Sequence, residues 1–395
     1  MMNAEKNTSP PDCETIITIY KNDFRYCGYA IADLADVNLS DFPALTDGRD
    51  VSAGDLIFLD TETTGLSGGA GTVAFLIGAG YFFKDGFIIK QFLIRDYDEE
   101  ESQLSNLAAE MGGRGALVTY NGKAFDMNLL SSRFIMNGMR LPRSSCHIDL
   151  LHPSRRVWRR CVDNCRLTTI ENVILGEHRA DDIPGSLIPQ VFFDFLETHE
   201  YETMQRVLSH NRMDILALAA ILKYITDLAA RTSRGEPYSM SWHGIAGKMS
   251  SGRLADRVSE ELLGLAGFCR LKESYELAET CLLASIERDR PAVTKRAFAH
   301  LAEIKKCEGK YDESAAYWLS LLKIAPGAGI YPYVEVAKYL EHKKRDPASA
   351  MFYTQLALAL ASGPVYRDSR VKQELAARYD RLQRKVNKIT ASKAK

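Results

Sequence analysis

The sequence predicts two folded parts: an α/β domain with a mixed β-sheet, and an all-α domain of helical repeats that follows it. Three apolar, strand-like runs joined by short turns begin the first part, and alternating helical and strand-like segments follow them. Beyond residue 251 the chain reads as helical, with similar stretches recurring at a spacing near 36 residues. A chain of 395 residues is also too long for one ordinary hydrophobic core, which favours two domains.

The three strand-like runs are DLIFLD, TVAFLIGAGYFF and GFIIKQFLIRD, and KDG at 84–86 predicts a hairpin between the last two. Residues 100–111 then predict a helix, 116–122 a strand, 125–137 a second helix and 144–151 a further strand. Hairpins followed by helical crossovers imply a mixed sheet with an antiparallel edge and a parallel half. This succession is the one found in ribonuclease H-like folds.

The run LIFLD does not alternate in polarity, so it is expected to form a central strand that is buried on both faces. Asp60 then lies at the carboxyl end of this strand, where open α/β sheets hold their ligands. Glu62, two residues on, points to the same side while the strand continues.

We expect the following division of the chain: residues 1–50 as a polar, partly ordered lead-in, 51–230 as the α/β domain, 231–250 as a linker, 251–385 as the helical repeat domain, and 386–395 as a disordered tail. The repeat stretches, 273–291, 309–326 and 345–364, resemble tetratricopeptide helical pairs, with a plain helical bundle as the alternative. Such repeats are expected to bind a protein partner or to extend a path for nucleic acid.

Global composition gives no signal for nucleic acid, because 50 basic residues stand against 51 acidic ones and the net charge is -1. The N-terminus has no apolar signal segment, and no stretch is apolar for the roughly 18 residues that a membrane span needs. We therefore expect a cytoplasmic protein without a membrane partner.

Four acids occur in an order that suits a two-metal nuclease: Asp60, Glu62, Asp126 and Asp214. Each lies beside an apolar run, where a carboxylate is costly unless positive charge compensates it. Two divalent ions provide that compensation, and they also activate water and stabilise the charge that develops at a phosphodiester. Mg²⁺ or Mn²⁺ is expected, because both prefer oxygen ligands.

The segments DTETTGL, NGKAFD and HNRMD resemble the three motifs of the DEDD 3′→5′ exonuclease superfamily. More narrowly, HIDLLHPSRRVWRR, CRLTTIE, LGEHRADDIPGSLIP and HNRMDILAL are similar to the bacterial YprB-like ribonuclease H-like family, some members of which continue into tetratricopeptide-like repeats. This resemblance covers roughly residues 55–225. It implies that the four acids bind two metal ions, and that the reaction is exonucleolytic on a single-stranded 3′ end of DNA or RNA.

The superfamily positions its attacking water with a tyrosine four residues before the last aspartate, or with a histidine five before it. This chain has His210 four residues before Asp214, a histidine at the tyrosine spacing. Positions i and i+4 share a helix face, so His210 is predicted as the general base.

Substrate contacts are predicted at two places. Thr63 and Leu66 follow the first motif, where the superfamily holds the terminal nucleotide, and Asn121 is predicted to contact the substrate strand or to form a turn. The run SRRVWRR supplies a stacking aromatic among phosphate-binding arginines, or else a solvated charged face: Arg155, Arg156, Trp158 and Arg159. Asp149 and Asp182 are candidates for supporting contacts to the site.

The cysteines and histidines between residues 146 and 165 leave a zinc site open, although buried thiols are the simpler reading because a Cys-x3-Cys spacing is not the usual knuckle. Two other functions also stay open: a nucleic-acid-binding or scaffold protein with an inactive site, and a structure-selective endonuclease on the same fold.

Overall fold

A computed structural model describes residues 12–40, 42–65, 71–84, 86–236, 251–287, 290–363 and 369–393. The chain divides into two compact units, residues 1–251 and 252–395. Across the described ranges, none of the helices has the length and apolar character that a bilayer span demands. Most of the linker predicted at 231–250 lies outside the described residues, and its first residues, 231–233, continue a helix.

The first unit is built on a six-stranded sheet, which confirms the predicted mixed topology. The strands of this unit are β1 (Glu14–Lys21), β2 (Arg25–Tyr26), β3 (Tyr29–Ala30), β4 (Leu56–Thr63), β5 (Ala74–Phe83), β6 (Gly86–Leu93), β7 (Ala116–Thr119) and β8 (Cys146–Asp149). The order in the sheet is β1-β6-β5-β4-β7-β8, and β2 pairs with β3 in a separate small ribbon. The neighbouring pairs β1–β6, β6–β5 and β5–β4 are antiparallel, whereas β4, β7 and β8 run parallel to one another. Strand β4, with its run LIFLD, is therefore central as predicted.

Helices of the first unit cover this sheet: α1 (Ile31–Ala35), α2 (Pro43–Thr46), α3 (Glu100–Met111), α4 (Asp126–Met136), α5 (Leu151–Trp158), α6 (Leu167–Ile170), α7 (Ile188–Thr198) and α8 (Tyr201–Ser233). The long helix α8 packs on β4, β5 and β6. Its middle is apolar on nearly every side, since each residue from Asp214 to Thr226 is buried. A helix that is apolar all round belongs inside a core, so α8 is held rigidly against the strands.

The lead-in contributes more than was predicted from its polar sequence. Strand β1 pairs along its whole length with β6, from Glu14 opposite Leu93 to Lys21 opposite Gly86. Its residues alternate between partly buried and exposed, as expected of an edge strand with one solvated face. Residues 14–21 are therefore part of the α/β sheet, which begins well before residue 51.

The second unit is all-α, as predicted. Its helices are α9 (Ser251–Leu271), α10 (Tyr275–Ile286), α11 (Pro291–Cys307), α12 (Tyr311–Ile324), α13 (Ile330–His342), α14 (Pro347–Ala361) and α15 (Ser369–Lys393). From α10 onward each helix packs against the next one along the chain. Helix α15 continues through residues 386–393, which were expected to be disordered, and its Arg378, Arg381 and Lys385 all bind the buried Glu341. These ion pairs fasten the C-terminal helix to α13.

Candidate active site

Asp60 and Glu62 lie in the second half of strand β4, where the strand leaves the core. Its first four residues are buried, and its last four, beginning with Asp60, are only partly buried. Pairing with β7 ends at Phe58 opposite Val118, so Asp60 and Glu62 lie past the parallel half of the sheet. The pairing with β5 shifts register between Glu62 and Thr63, a bulge that ends the strand beside these carboxylates.

Asp126 is the first residue of α4 and follows the turn that connects β7 to this helix. Asn121 adopts a left-handed backbone in this turn, with φ of 67°. Both oxygens of Asp149 accept backbone hydrogen bonds there, Oδ1 from Asn121 N at 2.7 Å and Oδ2 from Lys123 N at 3.0 Å. Asp149 thus fixes the turn that starts α4, and Thr61 Oγ1 donates to Asp126 Oδ1 at 2.5 Å. Asn121 therefore takes part in this turn, and its contact with a substrate strand stays a prediction.

Asp214 reaches the same place because α8 approaches the sheet over two glycines. A Cβ atom on Gly78 would lie 2.2 Å from Asn211 Oδ1 and 2.5 Å from Ile215 Cδ1. One on Gly80 would lie 2.4 Å from Ile215 Cγ2. Gly78 pairs with Asp60 across the β4–β5 ladder, so the missing side chain lets the helix lie directly over the acid-bearing strand.

Asn211 connects α8 to the strands beneath it. It is fully buried, and its Nδ2 donates to Asp60 Oδ2 at 2.9 Å. Its Oδ1 accepts from Gln91 Nε2 at 2.8 Å, and the same Gln91 nitrogen donates to the carbonyl of Leu208. Gln91 is also fully buried, so this chain of bonds sets the orientation of the Asp60 carboxylate from within the core.

His210 faces the acids, and Asp182 orients it. Its Nδ1 lies 2.7 Å from Asp182 Oδ1. Its Nε2 lies 3.5 Å from Asp214 Oδ2 and 3.8 Å from Glu62 Oε1. The predicted i, i+4 geometry therefore does bring the imidazole of His210 to Asp214, despite the unusual spacing. Because Asp182 accepts at Nδ1, the second nitrogen is directed toward the acid cluster.

A buried arginine that the sequence analysis did not identify, Arg179, binds the last acid. Its Nη2 lies 2.6 Å from Asp214 Oδ1 and 2.7 Å from Glu171 Oε2. Tyr26, from the lead-in, donates its hydroxyl hydrogen to Glu171, which is itself 1% exposed. Burial alone would lower the pKa of Arg179, but Asp214 and Glu171 raise it above its ordinary value. A fully ionised guanidinium thus compensates two buried carboxylates.

The remaining acids are short of positive charge. Burial, followed by repulsion from Asp214, Glu62 and Asp126, raises the pKa of Asp60 well above its ordinary value. The pKa of Glu62 is raised well above its ordinary value by the same kinds of cause, burial first, and burial also raises that of Asp126. Four carboxylates that repel one another at close range are the arrangement that a divalent cation relieves.

The four acids carry the type of ligand atom that a hard cation such as Mg²⁺ binds. All four carboxylates offer oxygen, the ligand atom that Mg²⁺ and Mn²⁺ prefer, and one of these oxygens, Asp214 Oδ1, already lies 2.6 Å from Arg179 Nη2. As the side chains stand, no three His, Cys, Asp or Glu residues of the described ranges converge at metal-ligand geometry. Metal ligation by the four acids therefore stays a proposal that rests on their chemistry.

The predicted substrate residues have different positions. Thr63 Oγ1 donates to the carbonyl of Gly65 at 2.9 Å and so shapes the chain just after the bulge, whereas Leu66 lies outside the described residues. Arg155, Arg156 and Arg159 are exposed on or directly after α5, where they remain candidates for phosphate contacts.

Trp158 is a correction, because its side chain is fully buried and packs edge-on against Tyr224 at 5.4 Å. A base cannot stack on it as predicted. Helical geometry explains the difference, since Ser154, Val157 and Trp158 lie on one face of α5 and all three are buried. The flanking arginines point to the other side, so the run SRRVWRR is an amphipathic helix end.

The cysteines considered for zinc lie in different settings. Cys146 is buried in β8, with its thiol 3.8 Å from the carbonyl oxygen of Thr46, and burial raises its pKa. Cys165 is partly exposed after α5, and its thiol faces the carbonyl of Ser154. His147 is bonded to Thr119, and burial lowers its pKa to about 4.

Comparison with known proteins agrees with this architecture. The profile of a family described as the RNase_H superfamily matches residues 57–226. The chain is also 30% identical over 380 residues to the uncharacterized protein YprB of Bacillus subtilis (strain 168), an alignment that spans 93% of this chain and 85% of YprB. The matched superfamily region includes all four acids, His210 and Arg179. This chain therefore belongs to one family with YprB of Bacillus subtilis, and its residues 57–226 form a domain of the ribonuclease H-like superfamily.

Proposed function

We propose that this protein is a metal-dependent 3′→5′ exonuclease of the DEDD type, which shortens single-stranded nucleic acid by hydrolysing phosphodiester bonds. The observation that carries the proposal is the meeting of carboxylates from β4, α4 and α8 beside an oriented histidine. Ribonuclease H-like proteins are usually nucleases, which supports a hydrolase acting on nucleic acid.

Divalent metal ions would supply electrophilic stabilisation of the charge that develops on the phosphate, with Asp60, Glu62, Asp126 and Asp214 as their ligands. The chain's own groups do the rest. Asn211 aims the carboxylate of Asp60 through a hydrogen bond to its Oδ2.

The proton on the attacking water is proposed to move to Nε2 of His210. Asp182 accepts the hydrogen of Nδ1 and so leaves the lone pair of Nε2 facing the carboxylates. Asp182 therefore acts by holding one tautomer and by stabilising the imidazolium once the proton has arrived. Its role resembles that of a buried carboxylate that orients a catalytic histidine.

A second candidate is a nucleic-acid-binding protein without turnover, and one observation favours it. Arg179 already places a cation 2.6 Å from Asp214 Oδ1, which is the kind of charge compensation that a metal ion otherwise provides. On this alternative the site binds nucleic acid and cleaves nothing.

The test is degradation of 5′-labelled single-stranded DNA and RNA by the wild type in Mg²⁺, Mn²⁺ or EDTA. Asp60→Asn is the inactive variant, and Asp194→Asn, at an exposed acid of α7, is the matched control. A shrinking ladder that needs metal, survives in the control and disappears in Asp60→Asn supports the exonuclease. Binding without cleavage in all conditions favours the second candidate, and cleavage of circular single strands refutes the exonucleolytic mode.

The role of His210 is tested by replacing it and the residue that orients it. His210→Ala should lower kcat by about 10²–10⁴-fold, because the attacking water loses its proton acceptor. Asp182→Asn keeps the imidazole but disturbs its tautomer, so a smaller loss of kcat is expected. Unchanged kcat in His210→Ala across the pH range would show that another group takes the proton.

A further inference from the structure

A small cavity lies among α11, α12 and α13 of the second unit, with a volume of about 240 Å³. Its walls combine the aromatic rings of Tyr311 and Trp318 with three ammonium groups and one carboxylate: Lys306, Lys338, Lys343 and Glu335. Pockets for free small molecules usually measure roughly 300–1,000 Å³. This cavity is smaller, so it suits one unit of a longer polymer better than a complete free ligand.

Trp318 forms an aromatic wall of the cavity. Its side chain is 3% exposed and packs edge-on against Tyr331 at 5.6 Å. The indole Nε1 has no hydrogen-bond partner within the described residues. This nitrogen is enclosed by protein atoms, so Trp318 contributes ring surface to the cavity and not a donor.

The cavity also has more positive charge than its one carboxylate, Glu335, compensates. Lys306 and Lys338 both bind the buried Glu335, at 2.5 and 2.8 Å. Although burial raises the pKa of Glu335, these two ammonium groups hold it below its ordinary value. Lys343 makes no ion pair with any described carboxylate, and its Nζ lies 3.7 Å from the centre of the Tyr311 ring. One ammonium group is therefore available to an anionic ligand.

The charge of the two units indicates which polymer this is. Residues 252–395 carry 26 Lys and Arg against 18 Asp and Glu, whereas residues 1–251 carry 24 against 33. Within α15 alone, eight basic residues stand against two acidic ones. The near-zero charge of the whole chain hides a basic helical unit, and basic surface with interleaved aromatic rings is the usual means of binding single-stranded nucleic acid.

We propose that the second unit is a nucleic-acid-binding module, and that this cavity receives one nucleotide of a single strand. The ammonium group of Lys343, which lies over the Tyr311 ring in the free protein, binds an adjacent phosphate, and the base takes its place against that ring. The identity of the strand as the substrate rests on the proposed nuclease function, but the binding itself does not.

The test measures binding with cleavage switched off. Full-length protein carrying Asp60→Asn is titrated in EDTA against fluorescent single-stranded RNA and DNA, over a series of salt concentrations. Tyr311→Ala should raise Kd at least fivefold, since stacking on one aromatic ring is worth about 1–3 kcal/mol per base. Lys343→Ala should reduce the slope of log Kd against log salt by about 0.7. Lys323→Ala, an exposed lysine of the same helix as Tyr311, is the matched control and should change neither value.

Equal Kd and equal salt slope for Lys343→Ala, Tyr311→Ala and the control overturn the proposal, provided that circular dichroism shows each variant folded. If Tyr311→Ala does not fold, the salt slope of Lys343→Ala decides alone. An Asp- and Glu-rich peptide that displaces the strand at equal concentration would assign the cavity to an acidic protein segment instead. A failure of the proposed nuclease function gives a different result, because the wild type would then bind the strand normally but never cleave it.

Discussion

Gly78 allows α8 to lie against the sheet, and Gly78→Ala tests whether this close packing positions the site. The new Cβ would lie 2.2 Å from Asn211 Oδ1 and 2.5 Å from Ile215 Cδ1. Carbon atoms ordinarily approach to about 3.5–4.0 Å, so the helix and strand must separate by about 1 Å. The side chain that must move first is Asn211, which aims the carboxylate of Asp60.

The expected loss follows from two contributions. Overpacking in a close-packed core costs about 1–3 kcal/mol, and the displaced hydrogen bond of Asn211 adds about 1 kcal/mol. We therefore expect Gly78→Ala to lower the free energy of unfolding of the first unit by about 2–4 kcal/mol. Nuclease activity should fall by more than the unfolded fraction explains, because Asp60 loses its orienting donor.

Urea unfolding followed by circular dichroism measures the first effect, and cleavage of labelled single strands measures the second. Gly54→Ala is the matched control, because its Cβ would meet only Ser52 Oγ at 3.7 Å, an ordinary contact. The control should stay within about 0.5 kcal/mol of the wild type. If both variants unfold at the wild-type urea concentration and cleave normally, the close approach of α8 to Gly78 does not position the site.

Three further outcomes are expected. Asp60→Asn should raise the melting temperature in EDTA, because it removes one of several carboxylates that repel one another. Mn²⁺ should raise the melting temperature of the wild type but not that of this variant, and a thermal-shift series with and without Mn²⁺ measures both effects. Arg179→Met should lower the free energy of unfolding by about 3–5 kcal/mol, since it leaves buried carboxylates without a compensating positive charge. Adding Glu171→Gln should restore part of that free energy. Equal stabilities of the single and double variants in urea would contradict this explanation. Burial, with Arg270 and Arg296 adding to it, lowers the pKa of His300 from 6.5 to about 4. The free energy of unfolding should therefore fall by about 1–2 kcal/mol as the pH drops from 6.5 toward 4, a figure that allows for the partial exposure of His300. His300→Gln should flatten urea midpoints across that pH window.

The sheet was predictable because its signals are local. Apolar runs of strand length, a hairpin turn and helical crossovers fix the topology. The acids were selected from the same kind of signal, since Asp60 ends an apolar run, Asp126 begins a helix and Asp214 lies within one. His210 was selected from the resemblance to the superfamily's third motif together with helical spacing. Each of these inferences needs only residues that are neighbours along the chain.

Arg179, Tyr26 and Asn211 show where such inference stops. Arg179 lies in an irregular stretch without periodicity, and Tyr26 contacts Glu171 from 145 residues away. The partners of Asn211 come from two strands that are distant in sequence. Trp158 was misassigned because the number of arginines around it was given more weight than the helical face it shares with Val157. Long-range pairing and the choice of a buried face depend on tertiary packing, which composition does not contain.

Strand β1 has a practical consequence for anyone isolating the α/β unit. The superfamily match begins at residue 57, and a fragment cut there would lack both β1 and the hydroxyl that Tyr26 gives to Glu171. The cut would bare the backbone groups along β6, and an uncovered edge of this kind invites strands of other molecules to add to it. A fragment beginning at residue 12 keeps the edge covered. Family boundaries drawn from sequence similarity would therefore favour an aggregating product that is easily mistaken for an inactive enzyme.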